Sequence, residues 1–403
     1  MKTTLYGAAA LKMPSEQLFQ QTECLASRTA SGALRSAPFA LFALILLSAA
    51  FFPVSAQEAP SWITGEENSA DLEEKIDELM RTGIYYHDEG DYDKAIECYK
   101  EALELAPELP GIYYELAFSY LYRGDPEDAL QYAQKGIDIS IAGGIEDSLA
   151  GLYDIKGSAL DDLDRHEEAV AVYLEALDRF DVNNTRLYYN LGLTYYRMGE
   201  RDKARESLAQ SLLSDSFHPS SNLLLGKICY EQGRKSQSLY CLCYFLLLEP
   251  YTDRSAEAYS TIKQLTEAAG GIITISNTGS FTAADMMLSL LFTDATDGGS
   301  DDEETPDEQL MRKLERFFSF LDEQPDFKKA ADYNPTDDLW WDFYVPFFAR
   351  LAKSEHFRTF CRYIGMSGSA ESGAWVEENE EKIEAMFGWL NEEPEEMDDV
   401  PRL

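Results

Sequence analysis

The stretch that decides the fold is YYNLGLTYYRMGERDKA, which covers residues 188–204. It alternates aromatic, small and charged residues without a catalytic motif and without the pattern of a single buried helix. A lone amphipathic helix gains nothing from Gly192 and Ala204 at these places. Two helices that cross closely, however, need small residues where their backbones approach. The stretch therefore predicts a helix pair, provided that its pattern recurs along the chain.

The pattern recurs as five copies between residues 83 and 245. In each copy a small residue is followed, twelve positions later, by a second one. The first positions are Gly83, Ala117, Gly157, Gly192 and Gly226. The second positions are Ala95, Ala129, Ala169, Ala204 and Ser238, which lie 34, 40, 35 and 34 residues apart. Each copy predicts two helices in which the first-position residue faces the second-position residue.

A period of about 34 residues with this spacing resembles the tetratricopeptide repeat (TPR), a helix–turn–helix unit that stacks on its neighbours. The resemblance covers about residues 76–252 and implies an all-α fold, a TPR-type right-handed α-solenoid of about five helix pairs. The chain departs from the family pattern at an insertion around SIAGGIEDS, which we expect to lengthen a loop, and at Ser238, where alanine is usual. As a whole it looks like exported bacterial proteins of this family.

Composition divides the chain into five segments. We expect a signal peptide or anchor at 1–56, a linker at 57–70, the solenoid with a capping helix at 71–266, a flexible acidic linker with a short helix at 267–306, and a small helical domain with an acidic tail at 307–403. Aromatic residues recur at helical spacing in the last segment, which indicates a packed core rather than a cofactor site. Pro346 is expected to kink one of its helices.

The first segment contains the apolar run APFALFALILLSAAFF, preceded by basic residues. Val54 and Ala56 have the small-residue spacing that signal peptidases accept, so we expect cleavage after Ala56. The alternative is a retained membrane anchor. Either arrangement places the body of the protein outside the cytoplasm. The expected location is the bacterial periplasm or cell envelope, with secretion as the alternative.

The balance of charge restricts the partners. With 73 acidic and 34 basic residues the formal charge is −39, which repels nucleic acid and anionic membranes. A neutral or basic protein or peptide fits, although acidity also serves simply to keep an exported protein soluble. No membrane insertion of the mature chain is expected unless the anchor is retained. The five cysteines beyond residue 56 are scattered and predict buried free thiols, and the sequence suggests no metal and no cofactor.

The TPR resemblance implies a binding surface on the first helix of each pair. The predicted partner-binding residues are Tyr114, Phe118, Tyr122, Tyr189, Leu193, Tyr196 and Arg197. They flank an acidic centre on the third repeat, formed by Asp154, Asp161 and Asp162. Tyrosine offers a large contact area with little loss of entropy, although any one of these rings could instead cover the seam between repeats. The basic residues with which some family members hold a terminal carboxylate are replaced here by Tyr114 and Phe118.

These observations predict a non-enzymatic interaction module or scaffold that binds a peptide or helix outside the cytoplasm. A solute- or glycan-binding component of an envelope uptake system is the alternative, because tyrosine rings also stack on sugars. His356 and Cys361 lie on adjacent segments, but no orienting group or glycine loop accompanies them. The sequence therefore predicts no catalytic residues.

Overall fold

The computed structural model describes residues 66–180, 184–267, 284–285, 288, 304–323 and 338–391. In chain order, the elements that these residues form are helices joined by turns, and none of these helices is long and apolar enough to cross a membrane. The predicted signal peptide, most of the acidic linker and the acidic tail lie outside the described residues. The chain divides into two compact units between residues 182 and 183, and each is described here by itself.

The described part of the first unit, residues 66–180, consists of three helix pairs. They are α1 (Glu66–Asp88) with α2 (Tyr92–Leu105), α3 (Pro110–Arg123) with α4 (Pro126–Gly143), and α5 (Leu149–Asp162) with α6 (His166–Arg179). Gly90 and Gly124 follow the first helices of two pairs at φ values of 78° and 92°, in the left-handed region that favours glycine. The Asp91 side chain accepts a hydrogen bond from the Lys94 amide and so caps α2.

The second unit begins with two more pairs, which brings the number of pairs to the five that the sequence predicts. The pairs are α7 (Thr185–Arg197) with α8 (Arg201–Ser214), and α9 (Pro219–Glu231) with α10 (Lys235–Leu248). Another helix, α11 (Asp253–Glu267), follows where the sequence predicts a capping helix. After it come α12 (Pro306–Asp322), a π-helical segment (Leu339–Tyr344) that continues into α13 (Val345–Ala352), α14 (Phe357–Gly365), α15 (Ala370–Glu378) and α16 (Glu380–Leu390).

The glycines of the repeat are tightly packed, and the side chain nearest to each one comes from the residue four positions beyond the second-position residue. A Cβ atom on Gly83 would lie 2.4 Å from Cε1 of Tyr99, four residues beyond Ala95. On Gly157 it would lie 2.4 Å from Cε1 of Tyr173. In these two repeats the tyrosine ring, rather than the alanine side chain, fills the space above the glycine. A side chain on a helix points back towards the N-terminus, so the ring one turn later covers the place where the alanine sits.

The same geometry holds in the second unit with leucine in place of tyrosine. A Cβ on Gly192 would lie 2.8 Å from Cγ of Leu208, and one on Gly226 would lie 2.8 Å from Cδ2 of Leu242. Ser238, which stands where alanine is usual, is fully buried and donates a 2.9 Å hydrogen bond to the Gly226 carbonyl. A buried hydroxyl is tolerated there because it has this acceptor.

One local expectation was wrong. The insertion in the second repeat lengthens α4 to 18 residues, against 14 for α2 and α6, rather than forming a longer loop alone. Pro346 lies where the π-helical segment continues into α13, and the kink expected there stays a prediction.

The helices after residue 306 share one core with the last repeats. Tyr240 of α10 lies within ring contact of Phe317, Phe318 and Phe348, with centroids 5.3–5.4 Å apart. As a result α10 is buried nearly all round, and its sequence KSQSLYCLCYFLLL lacks a polar face beyond its first turn. The predicted C-terminal helices thus form one compact unit with α7–α11.

Candidate functional site

Three of the predicted partner-binding residues form an aromatic strip along α3. Tyr114, Phe118 and Tyr122 are spaced four residues apart and therefore lie on one face of the helix. The Phe118 ring is nearly parallel to that of Tyr114, with centroids 5.8 Å apart, and meets Tyr122 edge-on at 4.7 Å. Tyr122 leaves 58% of its surface exposed. The strip is thus a continuous aromatic surface with an exposed end.

Two residues of the first repeat extend this strip. His87 at the end of α1 stacks on Phe118 with centroids 4.8 Å apart, and Tyr92 of α2 meets His87 at 5.1 Å. His87 Nδ1 lies 2.8 Å from the Ser119 hydroxyl, and burial lowers the pKa of this histidine. Its ring is therefore neutral at pH 7. His87, Tyr92, Tyr114, Phe118 and Tyr122 together are called the aromatic face below.

Tyr114 has a second role at the seam between repeats. A Cβ on Gly151 of α5 would lie 2.5 Å from Cε2 of Tyr114, so this ring fills the space that the glycine leaves. Tyr114 consequently joins α3 to α5 at the same time as it forms one end of the aromatic face. Both roles considered from the sequence therefore apply to Tyr114, which packs in the seam between repeats and also forms part of the candidate binding surface.

The predicted acidic centre on α5 is only partly available to a ligand. Asp154 and Asp161 are buried, and Asp161 lies 2.7 Å from Nδ1 of His166. Ser158 pairs with the Tyr173 hydroxyl at 3.1 Å. Asp162 alone among the three carboxylates is exposed. The acidic centre is thus mainly part of the packing of the third repeat.

The other four predicted residues lie on α7 in the second unit, where two are already engaged. The Tyr196 hydroxyl donates to Glu231 at 2.7 Å, and the Arg201 guanidinium lies 4.1 Å above the Tyr196 ring. Tyr189 meets His218 edge-on at 4.9 Å. Leu193 is half-buried and Arg197 is exposed. The structure therefore divides the seven predicted residues between two units, and only the first unit assembles them into an aromatic cluster.

Part of the aromatic face can be compared with the residues at the equivalent repeat positions in the second unit. His87, Tyr92 and Tyr122 occupy the same repeat positions as Tyr196, Arg201 and Glu231. In the second unit these positions form an ionic triad, because Arg201 also donates to Glu231 at 2.9 Å. In the first unit they form three mutual ring contacts at 5.1–6.1 Å. The fold accepts either triad, so the aromatic one is not required for stacking the repeats.

Sequence reasoning missed two carboxylates beside the aromatic face. Glu115 of α3 is half-buried, and burial together with nearby Asp88 raises its pKa to about 7. Its repeat position holds Arg81 in α1, Ile155 in α5, Asn190 in α7 and Leu224 in α9. Because both polar and apolar residues occur at this repeat position, no signal in the sequence distinguished Glu115 from its equivalents.

The C-terminal helices bury Cys361, the thiol that the sequence analysis considered as a nucleophile. Burial raises the pKa of Cys361 well above its ordinary value, so it is a thiol rather than a nucleophilic thiolate. His356 stacks near Trp389 with centroids 5.4 Å apart. Within the described residues Cys98, Cys229, Cys241, Cys243 and Cys361 are all free, and only Cys98 is not fully buried.

Comparison with known proteins identifies the repeats. A family model described as TPR repeat matches residues 83–124 and 157–199, and one described as tetratricopeptide repeat matches residues 189–239. The chain therefore carries tetratricopeptide repeats, and its all-α fold of helix pairs is the fold predicted from their period. Such repeats are in general protein-interaction modules, and the fold suggests that role here.

The chain is similar to two curated proteins over part of their lengths. It is 26% identical over 161 residues to a TPR repeat-containing protein of Methanocaldococcus jannaschii, which covers 33% of this chain and 28% of the relative. It is 27% identical over 185 residues to response regulator aspartate phosphatase E of Bacillus subtilis, which covers 40% of this chain and 48% of the relative. The chain thus spans less than half of the length of either relative.

Solved structures include other TPR proteins. A thermophilic TPR protein of Thermus thermophilus has 25% identity and a TM-score of 0.40, covering 46% of this chain and 98% of its own. PilF of Pseudomonas aeruginosa has 21% identity and a TM-score of 0.43, covering 56% of this chain and 95% of its own.

Proposed function

We propose that this chain is a non-enzymatic interaction module that works outside the cytoplasm and binds a peptide segment of a protein partner on the aromatic face. The observation that carries the proposal is the ring cluster itself, which ends in a tyrosine that is more than half exposed. Exposed, mutually packed aromatic rings lose little entropy when they bind, and they supply large apolar contact area. The family role of the repeats supports the same conclusion.

The site is better suited to a peptide than to a buried small molecule. His87 and Tyr114 each stack on Phe118, so the three rings form a continuous strip across α1 and α3. An extended peptide contacts such a strip along its length, whereas a small ligand would be mostly exposed there. A sugar could still stack on Tyr122, so a glycan is the competing ligand in the experiment.

The test is peptide selection with the purified protein. A library of random dodecapeptides is selected on the immobilised wild-type chain, and the affinity of the enriched peptides is measured by calorimetry. We expect Tyr122→Ala to weaken binding about tenfold, as for a central aromatic contact. Tyr85→Ala is the matched control, because Tyr85 is 59% exposed on the same unit but contacts none of the five rings that define the face.

Two results would contradict the proposal. The first is that no peptide loses affinity when Tyr122 is replaced. The second is that a glycan array gives Tyr122-dependent binding while the peptide library gives none, which would favour the uptake-component alternative.

The location outside the cytoplasm has its own test. The apolar run at 37–52 and the small residues Val54 and Ala56 support export. When the complete chain is expressed in a bacterial host, we expect the mature protein in the periplasmic fraction with Gln57 as its first residue. An unprocessed chain in the membrane fraction would favour the anchor, and an unprocessed cytosolic chain would contradict export.

A further inference from the structure

A cleft of about 700 Å³ lies between α4, α5 and α6 of the first unit, and it shares no residue with the aromatic face. Leu130, Leu160 and Val172 form its apolar base. The Leu160 and Val172 side chains are buried, and Leu130 is half-buried. A cleft of this volume with an apolar base is within the size range of ligand-binding sites in proteins.

The preceding junction between repeats fills the equivalent place with two tyrosine rings. Tyr120 of α3 and Tyr132 of α4 occupy the repeat positions of Leu160 and Val172, three residues beyond the small residues of each repeat. The two rings are stacked nearly parallel, with centroids 5.3 Å apart. Leu160 and Val172 both line the cleft and are smaller than these rings. The cleft therefore lies where the preceding junction holds an aromatic pair.

Cations accompany the rings at the preceding junction. The Lys100 Nζ lies 5.4 Å from the Tyr120 ring centroid, and the Arg123 guanidinium lies 4.9 Å from it. Lys135 Nζ likewise lies 5.4 Å from the Tyr132 ring centroid. Basic residues also line the cleft, namely Lys135, Lys156 and Arg165. A ring bound in the cleft would thus have cations nearby, an arrangement that favours aromatic side chains.

The cleft carries an excess of positive charge in a chain whose formal charge is −39. Its lining has three basic side chains and two acidic ones, Glu127 and Glu168. Arg165 is paired with Glu168 through two contacts of 2.7 Å. In the part of the chain that the structure describes, neither Lys135 nor Lys156 forms an ion pair. These two lysines can therefore pair with a carboxylate of a ligand.

We propose that this cleft binds an aromatic side chain of a protein partner, and that Lys135 and Lys156 pair with a carboxylate close to that aromatic residue in the partner's sequence. The partner segment is thus aromatic and acidic, which distinguishes it from a ligand of the aromatic face. The negative charge of the whole chain opposes the approach of such a segment, but salt screens this repulsion beyond about 10 Å and leaves the local pairing.

The test is peptide selection on the full chain with Tyr122→Ala, which weakens the aromatic face and leaves the cleft unchanged. A library of random dodecapeptides is selected on this protein, and the affinity of the enriched peptides is measured by calorimetry. We expect Phe, Tyr or Trp within a few positions of Asp or Glu. Alanine at the aromatic position of such a peptide should weaken binding at least tenfold, as for a central aromatic contact.

The double variant Leu160→Tyr, Val172→Tyr fills the cleft with the ring pair found one repeat earlier. We expect it to fold, with a melting temperature within a few degrees of the parent protein, because Tyr120 and Tyr132 are accommodated at the same repeat positions. The selected peptides should bind it at least tenfold more weakly, because the bound ring and the new rings would occupy the same space.

A second double variant, Lys135→Gln, Lys156→Gln, tests the site even if the tyrosine variant does not fold. The acidic peptide should lose at least fivefold in affinity on this variant, whereas its counterpart with Asn for Asp or Gln for Glu should bind both proteins equally. Lys100→Gln is the matched control, because Lys100 lies at the junction that Tyr120 and Tyr132 fill, and it should leave the affinity within about twofold.

Three results would overturn the proposal. They are a selection that enriches no peptide, enriched peptides that all bind the tyrosine variant as tightly as the parent protein, and an equal loss of affinity on Lys100→Gln and on the lysine double variant. None of them affects binding that depends on Tyr122, so the function proposed above is tested separately.

Discussion

At the scale of single residues, the packing of the repeat depends on the space that a glycine provides because it has no side chain. In the first and third repeats a tyrosine ring lies over the glycine of the partner helix, with no room for even one methyl group. The sequence reveals that small residues recur, but it does not tell which side chain covers them. That choice depends on side-chain direction along the helix, which spacing alone does not contain.

The closeness of Gly157 to Tyr173 predicts a loss of stability on adding a methyl group. The new Cβ of Gly157→Ala would lie 2.4 Å from Tyr173, which is fully buried and cannot move aside. We expect the unfolding free energy to fall by about 1–3 kcal/mol, measured by chemical denaturation. Gly388→Ala is the control, because nothing lies within 4 Å of its Cβ position, and it should be neutral or slightly stabilising. Equal effects of the two substitutions would contradict the packing described here.

The raised pKa of Glu115 predicts a pH-dependent gain from removing its charge. Burial, together with the charge of Asp88, holds the pKa of this carboxyl at about 7 in the folded chain, above its ordinary value of 4.5. The folded state therefore favours the neutral form, and its contribution to stability is lost as the pH rises from about 4.5 through 7. Glu115→Gln should raise the unfolding free energy at pH 8 by about 1–3 kcal/mol and change it little at pH 4. An identical gain at both pH values would exclude a charge effect.

At the scale of helices, the period of small residues was sufficient to predict the five pairs. It could not predict that α4 gains a turn, because an insertion of ambiguous propensity can extend either helix or loop. It also could not separate aromatic residues that bind from those that join repeats. Tyr122 and Tyr196 look alike in the sequence, and only the neighbours Tyr92 and Arg201 decide which of them is tied to a carboxylate.

The equivalence of the two triads predicts that one can replace the other. The triple variant His87→Tyr, Tyr92→Arg, Tyr122→Glu copies the arrangement of Tyr196, Arg201 and Glu231 into the first unit. We expect a melting temperature within a few degrees of the wild type, because the same contacts already occur at this repeat position. Peptide binding should fall at least tenfold, because the new arginine and glutamate satisfy each other. A folded variant with unchanged affinity would show that the aromatic triad is dispensable.

At the scale of the whole chain, the sequence predicted helices after residue 306 but not the core that they share with the repeats. The signal was available in α10, whose segment Leu239–Leu247 is apolar or aromatic on every side. A second helix of a repeat that is exposed on one face would need polar residues there. The fourth side of α10 is covered by α12, the π-helical segment, α13 and α14. These contacts join residues far apart in the chain, so the spacing of apolar residues could not predict them.

This shared core predicts that damage to the C-terminal helices spreads to the last repeats. Phe348 of α13 is fully buried and stacks on Phe318 at 4.5 Å, with Tyr240 of α10 at 5.4 Å. Phe348→Ala leaves a cavity that should cost about 3–5 kcal/mol. Hydrogen exchange should then accelerate in α10 as well as in α13, because both helices border the same cavity. Leu213→Ala, at an exposed leucine of α8, is the control and should leave exchange unchanged. Unaltered protection of α10 in Phe348→Ala would mean that the C-terminal helices fold independently of the repeats.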